Sequence, residues 1–283
     1  MNTPFEGLHR TGEPVGRDSA RRGHGWRIAG ACSAAAFLLV LTCATAASAT
    51  PTTTFWTVTT ASCQAAGVPH VTYDTYFRKG PVAGTQGAPN YPIDTGLTVG
   101  LIPSNTVQAE AGFDLLLPSE DPLFLNAKLC TPESSLFKNS PAIGGGIYNV
   151  GTKSDVTDFN VLYLVVQKSL PVGGYVAGGV YHALNEFLLT NSEGEVVKTG
   201  ALFGAVSPDI QIGLTGLKKI NFAADVQTGK NVLGAWGFGA NIYVADNVSI
   251  LTGPVYFFDK ALQPGGKGWL WTVQLDVDVP LGR

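Results

Sequence analysis

The stretch Trp269-Leu270-Trp271-Thr272-Val273-Gln274-Leu275-Asp276-Val277-Asp278-Val279, close to the end of the chain, decides the fold class. Successive side chains of a strand point to opposite faces. Here Trp269, Trp271, Val273, Leu275, Val277 and Val279 share one face, while Leu270, Thr272, Gln274, Asp276 and Asp278 share the other. A half-buried strand of a soluble sandwich alternates in the same way, but such strands average about 5 to 6 residues. A tilted strand that crosses a bilayer needs about 9 to 11, and the segment from Trp269 to Val279 has that length.

The pattern recurs upstream. Val71, Tyr73 and Phe77 oppose Thr72, Asp74, Tyr76 and Arg78, and Val107, Ala109, Ala111, Phe113 and Leu115 oppose Gln108, Glu110, Gly112 and Asp114. Leu123, Leu125, Ala127 and Leu129 oppose Asn126 and Lys128, and Ile220, Phe222, Ala224 and Val226 oppose Lys219, Asn221, Ala223, Asp225 and Gln227. Glycine alternates through AIGGGIYNVG, YVAGGVYH and LGAWGFGANIYV, where it relieves crowding or allows bends. These repeats predict strands near 68–78, 94–102, 107–117, 123–129, 142–150, 160–170, 174–183, 199–210, 218–227, 233–244, 248–258 and 269–279. The fold class predicted is all-β, a single antiparallel up-and-down transmembrane barrel of about twelve strands, with ten or fourteen the neighbouring counts. PSNT, PVG and ADN are tight turns on one side, and the longer links 79–93, 184–198 and 259–268 fall on the other. The link 130–141 is long but falls on the short-turn side.

Composition points the same way. Charged residues make up 14% of the 283-residue chain and glycine numbers 35, whereas a soluble domain carries roughly 25% charge. Arg21, Arg22 and Arg27 precede the uncharged run IAGACSAAAFLLVL, and small residues follow at Ala47, Ser48 and Ala49. That is the order of a cleavable signal peptide with its cut between Ala49 and Thr50, and the run is too short for a spanning helix. The expected organisation is a leader and signal peptide over 1–49, a periplasmic N-terminal segment or lumen plug over 50–67, and the barrel over 68–283. Past residue 49 there remain thirteen basic and eighteen acidic residues, a net charge of about −5, which excludes a nucleic-acid partner.

TPTTTFW, VTYDTYF, TGLTVGLIPSNTVQAEAGFDLL, PLFLNAKLCTPESSLFKNSPAIGGGIYNVGTKSDVT and AADVQTGKNVLGAWGFG together resemble an uncharacterised family of predicted outer-membrane, porin-like barrel proteins from environmental Gram-negative bacteria. The resemblance covers most of residues 50–283 and implies a barrel and an outer-membrane location, with no established activity. Such barrels usually end in an aromatic residue, whereas this sequence reads Leu281, Gly282, Arg283 at its end.

Candidate sites are few. Cys63 and Cys130 lie in an oxidising compartment on this reading and either form a disulfide or stay as two buried thiols. Nucleophilic catalysis needs a base beside a nucleophile. His70 and His182 fall at opposite ends of the barrel, and His182, near Asn185 and Glu186, has no serine beside it on its strand. No enzyme is expected. No P-loop, dinucleotide or EF-hand spacing appears, so neither cofactor nor metal is expected. The inward faces carry Asp74, Arg78, Glu110, Asp114, Lys128, Lys219, Asp225, Asp276 and Asp278 as pore-lining candidates. Acids outnumber bases, which predicts a narrow pore with mild cation preference for small solutes or ions, its partner outside being outer-membrane lipid. A closed interior of paired charges, or one plugged by residues 50–67, is the alternative; so is a structural or surface-binding role, and more remotely a lipid-acting enzyme.

Overall fold

The computed structural model describes residues 53–78 and 92–280; the expected signal peptide and its cleavage point at Ala49 and Thr50 lie outside them. The strands are β1 (Pro69–Phe77), β2 (Ile93–Gly100), β3 (Gln108–Leu117), β4 (Leu123–Thr131), β5 (Ala142–Gly151), β6 (Val161–Ser169), β7 (Tyr175–Ala183), β8 (Thr199–Val206), β9 (Ile210–Leu214), β10 (Leu217–Gln227), β11 (Ala235–Ala245), β12 (Val248–Phe257) and β13 (Trp269–Asp278). Apart from β8 and β9, neighbours in sequence pair antiparallel, and β13 returns to β1 in a register that runs from His70 opposite Asp278 to Phe77 opposite Trp271. The sheet therefore closes on itself.

Twelve staves make this barrel, because β8 and β9 are two parts of one. Both pair with β10, β8 opposite Ala223–Gln227 and β9 opposite Leu217–Ile220. The expected strand over 199–210 thus breaks between Val206 and Ile210 and runs on to Leu214. Pro208 sits in the break and has no N–H to give the ladder. Ser207 Oγ takes over there, accepting a 2.9 Å hydrogen bond from the Phe222 N–H.

The two faces of each stave meet different surroundings. Val71, Tyr73, Leu129, Leu164, Val180, Phe203 and Phe222 all point outward and are exposed, a continuous apolar surface far beyond the patches soluble monomers carry. Near the ends of β11 to β13, Trp236 stacks on Tyr256 at 4.6 Å and on Phe238 at 6.0 Å. Trp271 donates its indole N–H to Thr252 Oγ1 at 2.8 Å. An apolar band with aromatics at its rim is the pattern that outer-membrane barrels present to lipid. Links 152–160, 184–198 and 258–268 lie at the end where β1 finishes, here termed the loop end. Links 170–174, 215–216 and 246–247 lie at the other, the turn end, together with the long link 132–141.

Inside, residues 53–67 thread the lumen toward the turn end before β1 begins. Two buried clusters pack around them: Ala61 with Val161, Val165, Tyr181 and Leu202, and Phe55 with Leu251, Val255 and Leu270. The segment fits because the wall gives way to it. A Cβ on Gly237 would stand 2.6 Å from the Phe55 ring, and one on Gly144 would stand 2.8 Å from Ala61 Cα. The glycine alternation that marks β5 and β11 in the sequence is in part a groove for this internal chain.

Candidate functional site

The internal segment forms a floor across the lumen, and hydrogen bonds and a disulfide hold it to the wall. Asp225 Oδ2, on β10, accepts hydrogen bonds from the backbone N–H groups of Phe55, Trp56 and Thr57, each at 2.8 Å. Gln274 on β13 donates to Phe55 O at 3.0 Å, and Gln167 Oε1 on β6 accepts from the Ala61 N–H at 2.8 Å. Nearer the turn end, Glu110 Oε2 accepts from the Gln64 N–H at 2.6 Å. Beside it Cys63 is disulfide-bonded to Cys130 of β4, with the Cα atoms 5.8 Å apart. β1 and β4 are not neighbours in the sheet, so the bond crosses the interior, carried by the segment ahead of β1.

Above Thr53–Val58 lies a cavity of about 320 Å³ that reaches Phe159, Leu233 and Gln263 at the loop end. One wall is carboxylate-rich. Asp74 on β1 stands opposite Asp94 on β2 in the ladder, and Asp114 on β3 leans over Gly96, where a Cβ would come within 2.2 Å of its Oδ1. Tyr76 donates to Asp74 Oδ2 at 3.1 Å, and Asn126 donates to Asp114 Oδ2. Deeper in the same wall, Lys128 pairs with Glu110 at 2.9 Å. The lining also holds aromatic rings: Trp56 meets Tyr76 edge-on at 5.2 Å and Phe257 at 5.9 Å, and Tyr148 and Phe159 line the space as well.

Of the nine charged residues read as pore-lining, the structure gathers Asp74, Glu110, Asp114 and Lys128 around this cavity. The others are elsewhere. Asp225 holds the floor. Asp276 and Asp278 clasp the buried His70, at 3.2 Å from Nε2 and 2.7 Å from Nδ1. Lys219 pairs with Asp209 at 2.8 Å and lies 4.2 Å from the centre of the Tyr243 ring. Arg78, past the end of β1, donates to Pro264 O at 2.9 Å.

Sequence reading missed Asp94, although Leu97 and Val99 mark the outward parity of β2 and so place Asp94 inward. It also missed Trp56, whose role depends on the internal course of the segment. His182 is exposed on the outer face of β7, with Val176 and Val180. Among the described residues no group of three or more His, Cys, Asp or Glu has the geometry to hold a metal ion.

No family model matches the chain, and no curated protein does. Solved structures do. The chain is similar to a mutant of the Rh. blastica porin, at 10% identity and a TM-score of 0.35 over 65% of this chain and 55% of that one. The match thus spans about half of that porin's length. It is also similar to the NanC porin, at 8% identity and a TM-score of 0.46 over 75% of this chain and 100% of that one. A third is an outer-membrane channel from Pseudomonas putida F1, at 12% identity and a TM-score of 0.41 over 77% of this chain and 97% of that one.

Proposed function

We propose that the protein sits in the outer membrane of a Gram-negative cell and acts, without catalysis, as a passive porin-type channel for small solutes or ions. The observation that carries this reading is the division of surfaces in one closed barrel: an apolar exterior suited to lipid, and an interior that keeps charged groups around a cavity. Eight strands enclose a lumen that side chains fill, and 16 to 18 leave an aqueous channel; twelve staves with an internal segment lie between, which favours a narrow path. The packed clusters lie mainly against β5 to β8 and β10 to β13, which leaves the upper lumen beside β1 to β4 as the open part of the interior.

A second reading is a closed barrel with a surface-binding role, favoured by the disulfide-tied floor across the lumen. Planar-bilayer recordings separate the two. Discrete small conductance steps from the wild type, enlarged when residues 53–61 are deleted, support the channel. Silence from the wild type with conductance from the deletion variant favours the closed barrel, and silence from both removes the channel reading. A lipid-acting enzyme is the weakest alternative. Wild-type lipid turnover that is lost in His182→Ala would be needed to revive it.

A further inference from the structure

We infer that the cavity above Thr53–Val58 is a binding site for a small organic cation, of the class of aromatic or alkyl ammonium ions. The inference deepens the channel reading and rests on it for access of solutes to the upper lumen.

Charge comes first. Among the described residues, the charged groups that face the cavity are Asp74, Asp94, Asp114, Glu110 and Lys128. Lys128 is neutralised by Glu110, which leaves three carboxylates on adjacent strands that have no cation of their own among the described residues. Oδ1 of Asp74 and Oδ1 of Asp94 are shielded from solvent and accept no hydrogen bond. Buried acceptors of this kind are costly unless matched, and like charges on one wall add to the cost. A positive guest in the cavity offsets the repulsion between them.

Shape and polarity then choose the kind of cation. The carboxylates are spread along three strands and do not converge on a point, in keeping with the lack of a metal-binding group among the described residues. The cavity suits a larger, more diffuse charge. Its other walls supply what such an ion prefers, since the corner made by Trp56, Tyr76 and Phe257 presents π-systems that attract ammonium groups within about 6 Å of a ring. At about 320 Å³ the space is roughly twice the ~150 Å³ that admits benzene in an engineered cavity. One ring with a small charged substituent fits that size.

The test is a titration of the folded, detergent-solubilised protein with benzyltrimethylammonium, read by calorimetry and by tryptophan fluorescence, in which Trp56 reports directly. Benzyl alcohol and benzoate serve as neutral and anionic controls, and sodium and calcium as inorganic competitors. The cation is expected to bind at least about tenfold more tightly than either organic control. D74N/D94N should weaken it by about tenfold or more, and Asp121→Asn, in the link 118–122, should leave it unchanged. If the double variant loses its heat-modifiable migration, Asp114→Asn alone is measured in its place. No binding, equal binding of the three probes, indifference to the carboxylate variants, or displacement by calcium at micromolar concentration would overturn the inference. Bilayer silence with selective binding intact would remove the channel and leave the site; conductance without selective binding would do the reverse.

Discussion

Asp225 and Trp56 are 169 positions apart in the chain, yet the carboxylate of the first accepts the backbone N–H of the second at 2.8 Å inside the barrel. Its Oδ2 also takes the N–H groups of Phe55 and Thr57. One oxygen thus satisfies three donors of a segment that has no strand partners of its own over these residues.

Removing that carboxylate leaves all three donors unpaired. Hydrogen bonds to a charged group contribute about 1.5–3 kcal/mol each, and their loss is not additive, so Asp225→Ala should weaken docking of the segment by about 3 to 5 kcal/mol. Amide exchange at residues 55–57 should then accelerate more than about 100-fold, while exchange in β3 and β4 stays as it was. Equal protection of residues 55–57 in both proteins would show that the floor is held by other means.

The packing of Phe55 against Gly237 makes a sharper test. An alanine Cβ at 237 would come within 2.6 Å of the ring, so Gly237→Ala should displace the segment and raise bilayer conductance. Phe55→Ala should remove the conflict. In a double-mutant cycle the two changes should therefore couple by more than about 0.5 kcal/mol. Simple additivity would mean that ring and glycine do not meet.

The bond between Cys63 and Cys130 closes a loop with a sequence separation of 67, for which chain entropy alone predicts about 4 kcal/mol of stabilisation. Cys63→Ser should lower the denaturant midpoint of the barrel accordingly and leave its strand content, by circular dichroism, unchanged. An unaltered midpoint would contradict a structural role for the bond.

At the turn end, Glu133 fastens the long link 132–141 to β6. It pairs with Lys168 and accepts the Ser169 N–H at 3.0 Å. The Lys168 ammonium, with the Ser169 N–H, pulls its carboxyl from 4.5 down to about 2. A depressed carboxylate stabilises fully above its unfolded value and loses that contribution as the pH falls through its folded one. Docking of the link should hold above about pH 4.5 and fade toward pH 2, with little change in Glu133→Gln. Protease cleavage within 134–140 across that range measures it; pH-independent protection of the wild type would refute the assignment.

Alternation was readable wherever lipid and lumen make opposite demands on neighbouring side chains. Trp269 to Val279 and Lys219 to Gln227 show it plainly, and in both the predicted parity is the observed one. β8 was harder, since Pro208 interrupts the ladder without disturbing the apolar pattern around it. The segment 53–67 carries no periodicity at all, because its conformation is dictated by partners such as Asp225, Gln167 and Glu110 that lie far along the chain. The cavity inherits that obscurity. Asp74 and Asp114 could be placed from their own strands, but the floor that turns them into one wall of a site exists only once the chain has folded back inside the barrel.

All of these expectations depend on which side of the wall a residue faces, and Tyr73 and Asp74, near the middle of β1, pose that question most directly. Tyr73 is 46% exposed on the outside, and Asp74 lines the cavity within. With a nitroxide placed at each position in turn, in oxidised protein reconstituted into liposomes, collision rates with oxygen and with a water-soluble nickel chelate can be compared. The label at 73 should favour oxygen strongly and the label at 74 should not. Equal access of the chelate to position 73, or the reverse preference, would mean that the apolar face does not meet lipid and that the barrel does not span a membrane.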